Sequence, residues 1–208
     1  MRALEKHKLF DKHGNRQLKR SDKIFIIGDA ANCVKDSWIG DMAILDMVGN
    51  TIDGMVIGNH ELPYLTPGNS FSGFYHYPEI QHRISMLMNE DLIGAAILVG
   101  NILISHAGLS KHYATGHKTS EQFFNAIEDH WKARNFNHSW FSSVGYSRGG
   151  RQKVGGIFWC DFDNEFIPTD FPQIVGHTPR GVRMKGNALC IDVGAKNIDT
   201  EPFILEIA

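Results

Sequence analysis

Four short, largely apolar segments of the chain each end at a glycine or serine that is followed by a polar residue. The segments are Ile24–Ile27, Met55–Ile57, Ile102–Ile104 and Gln173–Val175, and they lead into Gly28-Asp29, Gly58-Asn59-His60, Ser105-His106 and Gly176-His177. Short apolar runs that are bounded by turn residues are typical of buried strands. The pattern therefore predicts four strands, each of which delivers a side chain able to bind a metal ion or to transfer a proton.

Between these strands, the spacing of apolar residues changes to that of helices. Ser37–Val48 has apolar residues at Trp38, Met42 and Leu45, which predicts a strand-helix-strand unit. Further helices are predicted over His82–Met88 and Glu121–Trp131, a hairpin at Gly100-Asn101, and terminal strands at Ala188–Val193 and Pro202–Ile207. The segment from Asn135 to Gly156 is rich in Gly, Ser, Asn and Arg, and it predicts a long surface loop. The pattern as a whole indicates an α/β fold.

Length and composition narrow the class of protein. A chain of 208 residues with 42% hydrophobic and 21% charged residues fits one globular domain, residues 1–208. The net charge of −2 comes from well-mixed residues, so nothing indicates nucleic acid or an anionic membrane as a partner. The three cysteines lack the spacing of a zinc knuckle or a disulfide framework, and no apolar run approaches the length of a membrane span. We expect a cytoplasmic protein.

The polar residues at the predicted strand ends form a set of metal ligands. Asp29, Asn59, His106 and His177 offer carboxylate, amide and imidazole groups, which bind hard and borderline divalent cations. Strand ends are also where an α/β sheet places its site. Any one of these residues alone is more often an ordinary loop residue, but four in succession indicate a metal site.

The same motifs resemble those of a known family. Gly28-Asp29, Gly58-Asn59-His60-Glu61, Ser105-His106-Ala107-Gly108 and Gly176-His177-Thr178-Pro179 occur in the order and spacing of the calcineurin-like metallophosphoesterases. The chain looks closest to the branch that contains bacterial and phage serine/threonine protein phosphatases and symmetrical diadenosine tetraphosphatases. The resemblance runs from about Asp22 to the C-terminus. It implies two packed mixed β-sheets flanked by helices, and an enzyme that hydrolyses phosphate esters.

Residue by residue, the resemblance implies a role for each strand-end side chain. Asp29 would bridge two metal ions, and Asn59, His106 and His177 would complete the shell of one of them. His60 would be the general acid that protonates the leaving oxygen. A metal-activated water would attack phosphorus. Manganese is the expected metal, and iron and zinc fit the same ligand types.

The chain departs from the family pattern at its N-terminus. The family opens with an apolar strand that ends in Asp-x-His-Gly, and no such strand precedes Leu4. Asp11-Lys12-His13-Gly14 spells the motif, but it follows a charged stretch and lies only 18 positions before Asp29. We therefore expect the first strand to be missing and residues 1–21 to be a remnant of the first helix and linker. One complete metal site is encoded, and Asp11 and His13 are the alternative ligands for a second ion.

A second departure lies just after Asp29. Asn32 stands where the family has an aspartate that orients the catalytic histidine, and Cys33 stands where it has a phosphate-binding arginine. A neutral Asn32 is expected to weaken the orientation and protonation of His60 and thus to lower activity. Arg148 and Arg151 are the candidates for binding the substrate phosphate, for which a planar guanidinium is suited.

The resemblance favours a phosphomonoester as substrate, such as phosphoserine or phosphothreonine in a protein, and the expected partner is a phosphorylated protein or small phosphate ester. Two alternatives remain open. One is a hydrolase of dinucleoside polyphosphates. The other is an impaired or truncated paralogue that acts as a metal-binding or phosphate-binding module.

Overall fold

The computed structural model describes residues 11, 16–17, 19, 22–32, 38–66, 71 and 73–194, and the structural statements below concern those residues. His13, Cys33 and the predicted terminal strand Pro202–Ile207 lie outside them. No helix in the described ranges is long and apolar enough to cross a membrane.

The first described sheet is parallel, so the prediction of two mixed sheets is wrong for this one, and it contains the predicted strand-helix-strand unit. Its strands are β1 (Phe25–Ile27), β2 (Gly54–Val56) and β3 (Ile93–Gly94), in the order β1-β2-β3. Helix α1 (Trp38–Met47) connects β1 to β2, and α2 (Leu62–Leu65) and α3 (Pro78–Asn89) lie between β2 and β3. The prediction of β1, α1 and β2 is confirmed, because β1 and β2 pair in parallel with Ile26 opposite Met55.

The second described sheet is mixed. Its strands are β4 (Ala96–Val99), β5 (Ile102–Ser105), β6 (Gln173–Val175), β7 (Arg183–Lys185) and β8 (Ala188–Cys190), in the order β4-β5-β6-β8-β7. The three central strands β5, β6 and β8 run parallel, and one antiparallel strand pairs with each outer side, β4 with β5 and β7 with β8. The hairpin predicted at Gly100-Asn101 is confirmed. The strand predicted over Ala188–Val193 ends at Cys190.

Helix α3 and helix α4 (Ser120–Lys132) each pack one apolar stripe into the core. Pro78 occupies the first turn of α3, where its missing N–H costs nothing. Thr119 caps α4, since its side-chain oxygen accepts a hydrogen bond from the Gln122 amide at 3.2 Å. The buried residues of α4 recur at helical spacing, as Phe123, Ile127 and Trp131.

The prediction of a surface loop over Asn135–Gly156 is wrong in part. This segment contains a short helix, α5 (Ser139–Ser142), and a 3₁₀ helix (Tyr146–Arg148). Trp140 and Phe141 of α5 are buried, and aromatic side chains remove enough apolar surface from water to hold an otherwise polar segment against the core. The fold is α/β with two sheets flanked by helices, and the carboxyl ends of β1, β2, β5 and β6 carry the four predicted ligands.

Candidate metal centre

The structure brings together the four predicted metal ligands around one atom, Nε2 of His106. This nitrogen lies 2.9 Å from Nδ1 of His177 and 3.1 Å from Oδ1 of Asn59. It lies 3.3 Å from Oδ1 of Asp29. Asp29, His106 and His177 form a cluster whose potential ligand atoms all lie within 4.8 Å of one another. Residues that are 148 positions apart in the chain therefore meet at one point.

The backbone of β1 fixes the tautomer of His106. Nδ1 of this ring lies 2.8 Å from the carbonyl oxygen of Ile27, which can only accept a hydrogen bond, so Nδ1 carries a proton. In the neutral imidazole, Nε2 then presents a lone pair toward the oxygens of Asn59 and Asp29. A cation among these lone pairs would relieve the repulsion between them. Metal-binding histidines are oriented in the same way, because the ring nitrogen that does not bind the metal donates to a backbone carbonyl.

His177 is held in its neutral form. Burial lowers the pKa of His177 well below its ordinary value, and the neighbouring His106 and Arg148 lower it further. Nε2 of His177 is buried and has no hydrogen-bond partner among the described residues, whereas Nδ1 faces His106. A neutral imidazole is the form that binds a metal ion, so this environment suits a ligand.

The backbone at two of the ligand positions adopts a conformation that side chains disfavour. Asp29 has φ 57° and His177 has φ 66°, both in the left-handed region. Each such residue costs about 1–3 kcal/mol, and strain of this kind concentrates at functional sites. A Cβ at Gly28 would lie 2.5 Å from Nδ1 of His106, and one at Gly58 would overlap the Asp29 carboxylate. Both glycines are therefore needed for the close approach of the strand ends.

Glu61, to which the sequence pattern assigns no role, organises the site from behind. Its buried carboxylate accepts hydrogen bonds from three backbone amides, those of Asp29 at 2.9 Å, Ala31 at 2.7 Å and Gly58 at 2.7 Å. These bonds join the loop after β1 to the loop after β2. Burial raises the pKa of Glu61, and the negative charge of Asp29 raises it further. The sequence feature that could have drawn attention to Glu61 is its position directly before the apolar segment Leu62–Leu65.

His60, the predicted general acid, turns one edge toward the cluster. Its Nδ1 lies 3.0 Å from the carbonyl oxygen of Ala31 and donates to it, and its Nε2 lies 4.0 Å from Oδ2 of Asp29. The backbone amide of His60 donates to Oδ1 of Asp29 at 3.2 Å. The side chain of His60 is 22% exposed, so Nε2 remains accessible to a ligand beside the cluster.

The side chain of Asn32, which is expected to weaken the orientation of His60, makes its described hydrogen bonds to other residues. Its side-chain amide donates to the hydroxyl of Tyr64 at 2.7 Å, and its side-chain oxygen accepts from the Tyr75 amide at 3.0 Å. The hydrogen bond that helps to orient His60 is the one to the carbonyl of Ala31, one residue before Asn32. Asn32 therefore anchors the segment around Tyr75, and its neutrality does not remove this contact.

The two predicted phosphate-binding arginines differ in their surroundings. Nη2 of Arg148 lies 2.9 Å from Oγ1 of Thr178 and 3.3 Å from the carbonyl oxygen of His177, and it pairs with Asp161 at 3.2 Å. Arg148 is thus placed against the loop that carries a candidate ligand. Arg151 is exposed, and its side chain makes no hydrogen bond or ion pair with the described part of the chain. The structure therefore does not associate Arg151 with the cluster.

Asp11, one of the two alternative ligands for a second ion, does not belong to the cluster in the described part of the chain. Asp11 is described, but the group of carboxylates and histidines that could hold a metal ion comprises Asp29, His106 and His177 alone within the described residues. His13, its proposed companion, lies outside them.

Comparisons with known proteins show which folds this chain is similar to. No protein-family model matches it, and a comparison with curated proteins finds no match. Among solved structures, it is similar to a cold-active protein-tyrosine phosphatase of the psychrophile Shewanella sp., with a TM-score of 0.56 and 16% identity over 93% of this chain. A second structure, also of a cold-active protein tyrosine phosphatase, gives a TM-score of 0.52 and 16% identity. The chain spans 66% and 65% of those two chains.

These comparisons contradict the family predicted from the motifs. The structures that the chain is similar to are those of protein-tyrosine phosphatases, and no model of the calcineurin-like metallophosphoesterases matches. Short motifs at strand ends reflect the local demands of a turn and a ligand, so they do not by themselves identify a family. At 16% identity, the structural likeness shows the fold.

Proposed function

We propose that this chain is a metal-dependent phosphate-ester hydrolase whose cation is held by Asp29, Asn59, His106 and His177. The observation that carries the proposal is the fixed tautomer of His106, whose Nε2 lone pair lies within 3.3 Å of oxygens from Asn59 and Asp29. The names of the structural neighbours, which are phosphatases, support phosphate esters as the class of substrate.

The ligand set fits a borderline divalent cation. Two imidazoles, one amide oxygen and one carboxylate suit manganese, which we propose, and also iron or zinc. A bound cation supplies charge neutralisation for the phosphoryl oxygens and activation of the attacking water. The two loops of the first sheet would supply Asp29 and Asn59 to the cation. The ends of two strands of the second sheet would supply His106 and His177.

His60 is proposed as the general acid. Its Nδ1 proton is occupied by the Ala31 carbonyl, so the proton for transfer is the one on Nε2 of the imidazolium. As the bond between phosphorus and the leaving oxygen breaks, that proton moves to the leaving oxygen, and neutral His60 remains. Nε2 lies 4.0 Å from Oδ2 of Asp29, on the side of the ring that faces the cluster.

The described cysteines do not favour a thiol nucleophile. Cys160 and Cys190 are both buried. Burial raises the pKa of each thiol, and nearby carboxylates raise the pKa of Cys160 further. A nucleophilic cysteine needs the opposite, a lowered pKa in an accessible and electropositive place. Among the described residues, the cluster of potential metal ligands is therefore the better supported centre for the chemistry.

Phosphomonoesters are the proposed substrates. The preference for phosphoserine and phosphothreonine that the motifs predicted gains no support from the comparisons, since the similar structures are those of tyrosine phosphatases. No observation favours a dinucleoside polyphosphate or a purely metal-binding module over hydrolysis.

The test combines metal analysis with hydrolysis of p-nitrophenyl phosphate. The wild-type chain is expected to retain manganese after dialysis and to release nitrophenol. His106→Ala and His177→Ala are expected to lose both properties, because each removes one of few ligands to the same ion. His82→Ala, at an exposed histidine of α3, is the matched control and is expected to behave as wild type. Wild-type metal content in both ligand variants would refute the ligand assignment. Bound metal without hydrolysis of any phosphate ester would identify a binding module.

A further inference from the structure

An aromatic side chain covers one face of the proposed general acid. The ring of Phe71 stacks on that of His60, with centroids 4.7 Å apart and an angle of 28° between the planes. Because this contact uses a ring face, the Nε2 edge of His60 stays turned toward Asp29. Phe71 is itself only half-buried, so part of its ring remains open to a ligand.

Two further aromatic residues hold Phe71 in place. The ring of Phe74 meets Phe71 edge-on at 5.7 Å and meets Tyr64 edge-on at 5.0 Å. Tyr64 is 2% exposed, and its hydroxyl accepts a hydrogen bond from Asn32 and donates one to the carbonyl of Tyr75. We call Phe71, Phe74 and Tyr64 the aromatic wall. Its buried end is fixed by hydrogen bonds, and its other end lies against His60.

We propose that the aromatic wall is the leaving-group subsite and that Phe71 makes the site selective for phosphate esters of phenols, such as phosphotyrosine. This inference rests on the proposed function. A proton passes from Nε2 of His60 to the leaving oxygen only across a hydrogen bond, so the leaving group lies beside the imidazole. The atoms attached to that oxygen are then within reach of Phe71, which stacks on the same ring.

A phenolic leaving group gains contacts at this place that an alkyl group does not. Aromatic pairs prefer offset-stacked or edge-on arrangements, which the exposed part of Phe71 offers. The rigid ring of a phenol can also pack beside a second ring without losing the conformational freedom that a flexible alkyl chain would lose. Selectivity therefore comes from the shape and aromatic character of one side chain, apart from the metal ligands.

The experiment compares two substrates that differ in the presence of the ring. O-Phosphotyrosine and O-phosphoserine are hydrolysed by the manganese-loaded full chain as wild type, Phe71→Leu and Phe71→Tyr, and phosphate release gives kcat/KM for each. The ratio of the two values removes effects that are common to both substrates. Phe71→Leu is expected to lower the phosphotyrosine to phosphoserine ratio by about two- to tenfold, the size of one aromatic contact. Phe71→Tyr keeps the ring and is expected to keep the ratio.

Each other outcome has a distinct meaning. An unchanged ratio in an active Phe71→Leu protein would overturn the inference and leave the proposed function standing. A larger loss on phosphoserine would also overturn it, because a poor leaving group depends more on the acid and Phe71 would then act only by positioning His60. If the wild type hydrolyses neither substrate nor p-nitrophenyl phosphate, the proposed function fails and the inference with it. Thermal melts check the fold, and Phe71→Met repeats the comparison if the leucine variant unfolds.

Discussion

The carboxylate of Glu61 holds the backbone amide of Asp29 at 2.9 Å, so one negatively charged residue positions another. The two charges oppose each other, and the proximity of Asp29 helps to raise the pKa of Glu61. Three backbone N–H groups that point at Glu61 offset this repulsion. The arrangement places Asp29 in its left-handed conformation with the carboxylate facing His106.

Replacement of Glu61 by glutamine is expected to destabilise the fold by about 1–3 kcal/mol and to reduce metal content. The amide of glutamine has one acceptor oxygen, so at least one backbone N–H would face a donor and stay unsatisfied. Thermal melts and metal analysis after dialysis measure the two effects. Glu90→Gln, at an exposed glutamate, is the control and should match wild type. Full metal content in a folded Glu61→Gln protein would show that Asp29 does not depend on this contact.

The pattern of residues in the sequence was sufficient to predict the strand ends at which the candidate site lies. The change from an apolar run to glycine and a polar residue marks a strand end, and it placed Asp29 and His177 where the structure has them. The role of Glu61 was not predicted, because one of its partners, Ala31, lies 30 positions away. Backbone groups such as the Ala31 carbonyl are the same in every residue, so no pattern of side chains reveals them.

Replacement of His60 by asparagine is expected to leave metal content near wild type and to reduce turnover of phenyl phosphate by about 10²-fold or more, as for the loss of a general acid. The loss should be smaller for p-nitrophenyl phosphate, whose leaving group needs little protonation. Steady-state kinetics on both substrates, together with metal analysis, measure this. Equal losses on the two esters would assign His60 some other role.

Arg148 and Arg151 are expected to differ as binding groups for phosphate. Arg148→Lys keeps the charge but loses the planar fork, and it should lower kcat/KM about tenfold through KM, as expected when a hydrogen bond to a charged group is lost. Arg151→Ala should stay near wild type, because its exposed side chain contacts none of the described residues through a hydrogen bond or ion pair. Inhibition by inorganic phosphate provides an independent measure of anion binding. A loss confined to Arg151→Ala would reverse this assignment.

The pH dependence of stability should reflect a stacked pair of histidines that lies outside the ligand motifs. The rings of His130 and His138 lie 3.7 Å apart at an angle of 18°, and Nδ1 of His138 accepts a hydrogen bond from the Trp140 amide at 3.4 Å. Burial lowers the pKa of His138, and the neighbouring His130 lowers it further. The folded state therefore binds this proton less readily than the unfolded state, in which a histidine has a pKa of about 6.5. Stability from this group is present above that pH and is lost as the pH falls below it.

His138→Asn separates this titration from the structural role of the residue. Asparagine can accept the Trp140 amide at the start of α5, as helix-capping residues do, but it does not titrate. The melting temperature of the wild type should fall between about pH 7 and pH 5, and His138→Asn should fall less over the same range. Part of the fall should persist, because the pKa of His177 is also lowered by burial. His82→Asn, at an exposed position of α3, should keep the wild-type slope. If the melting temperatures of wild type and His138→Asn changed equally with pH, the titration of His138 would not contribute to the pH dependence of stability.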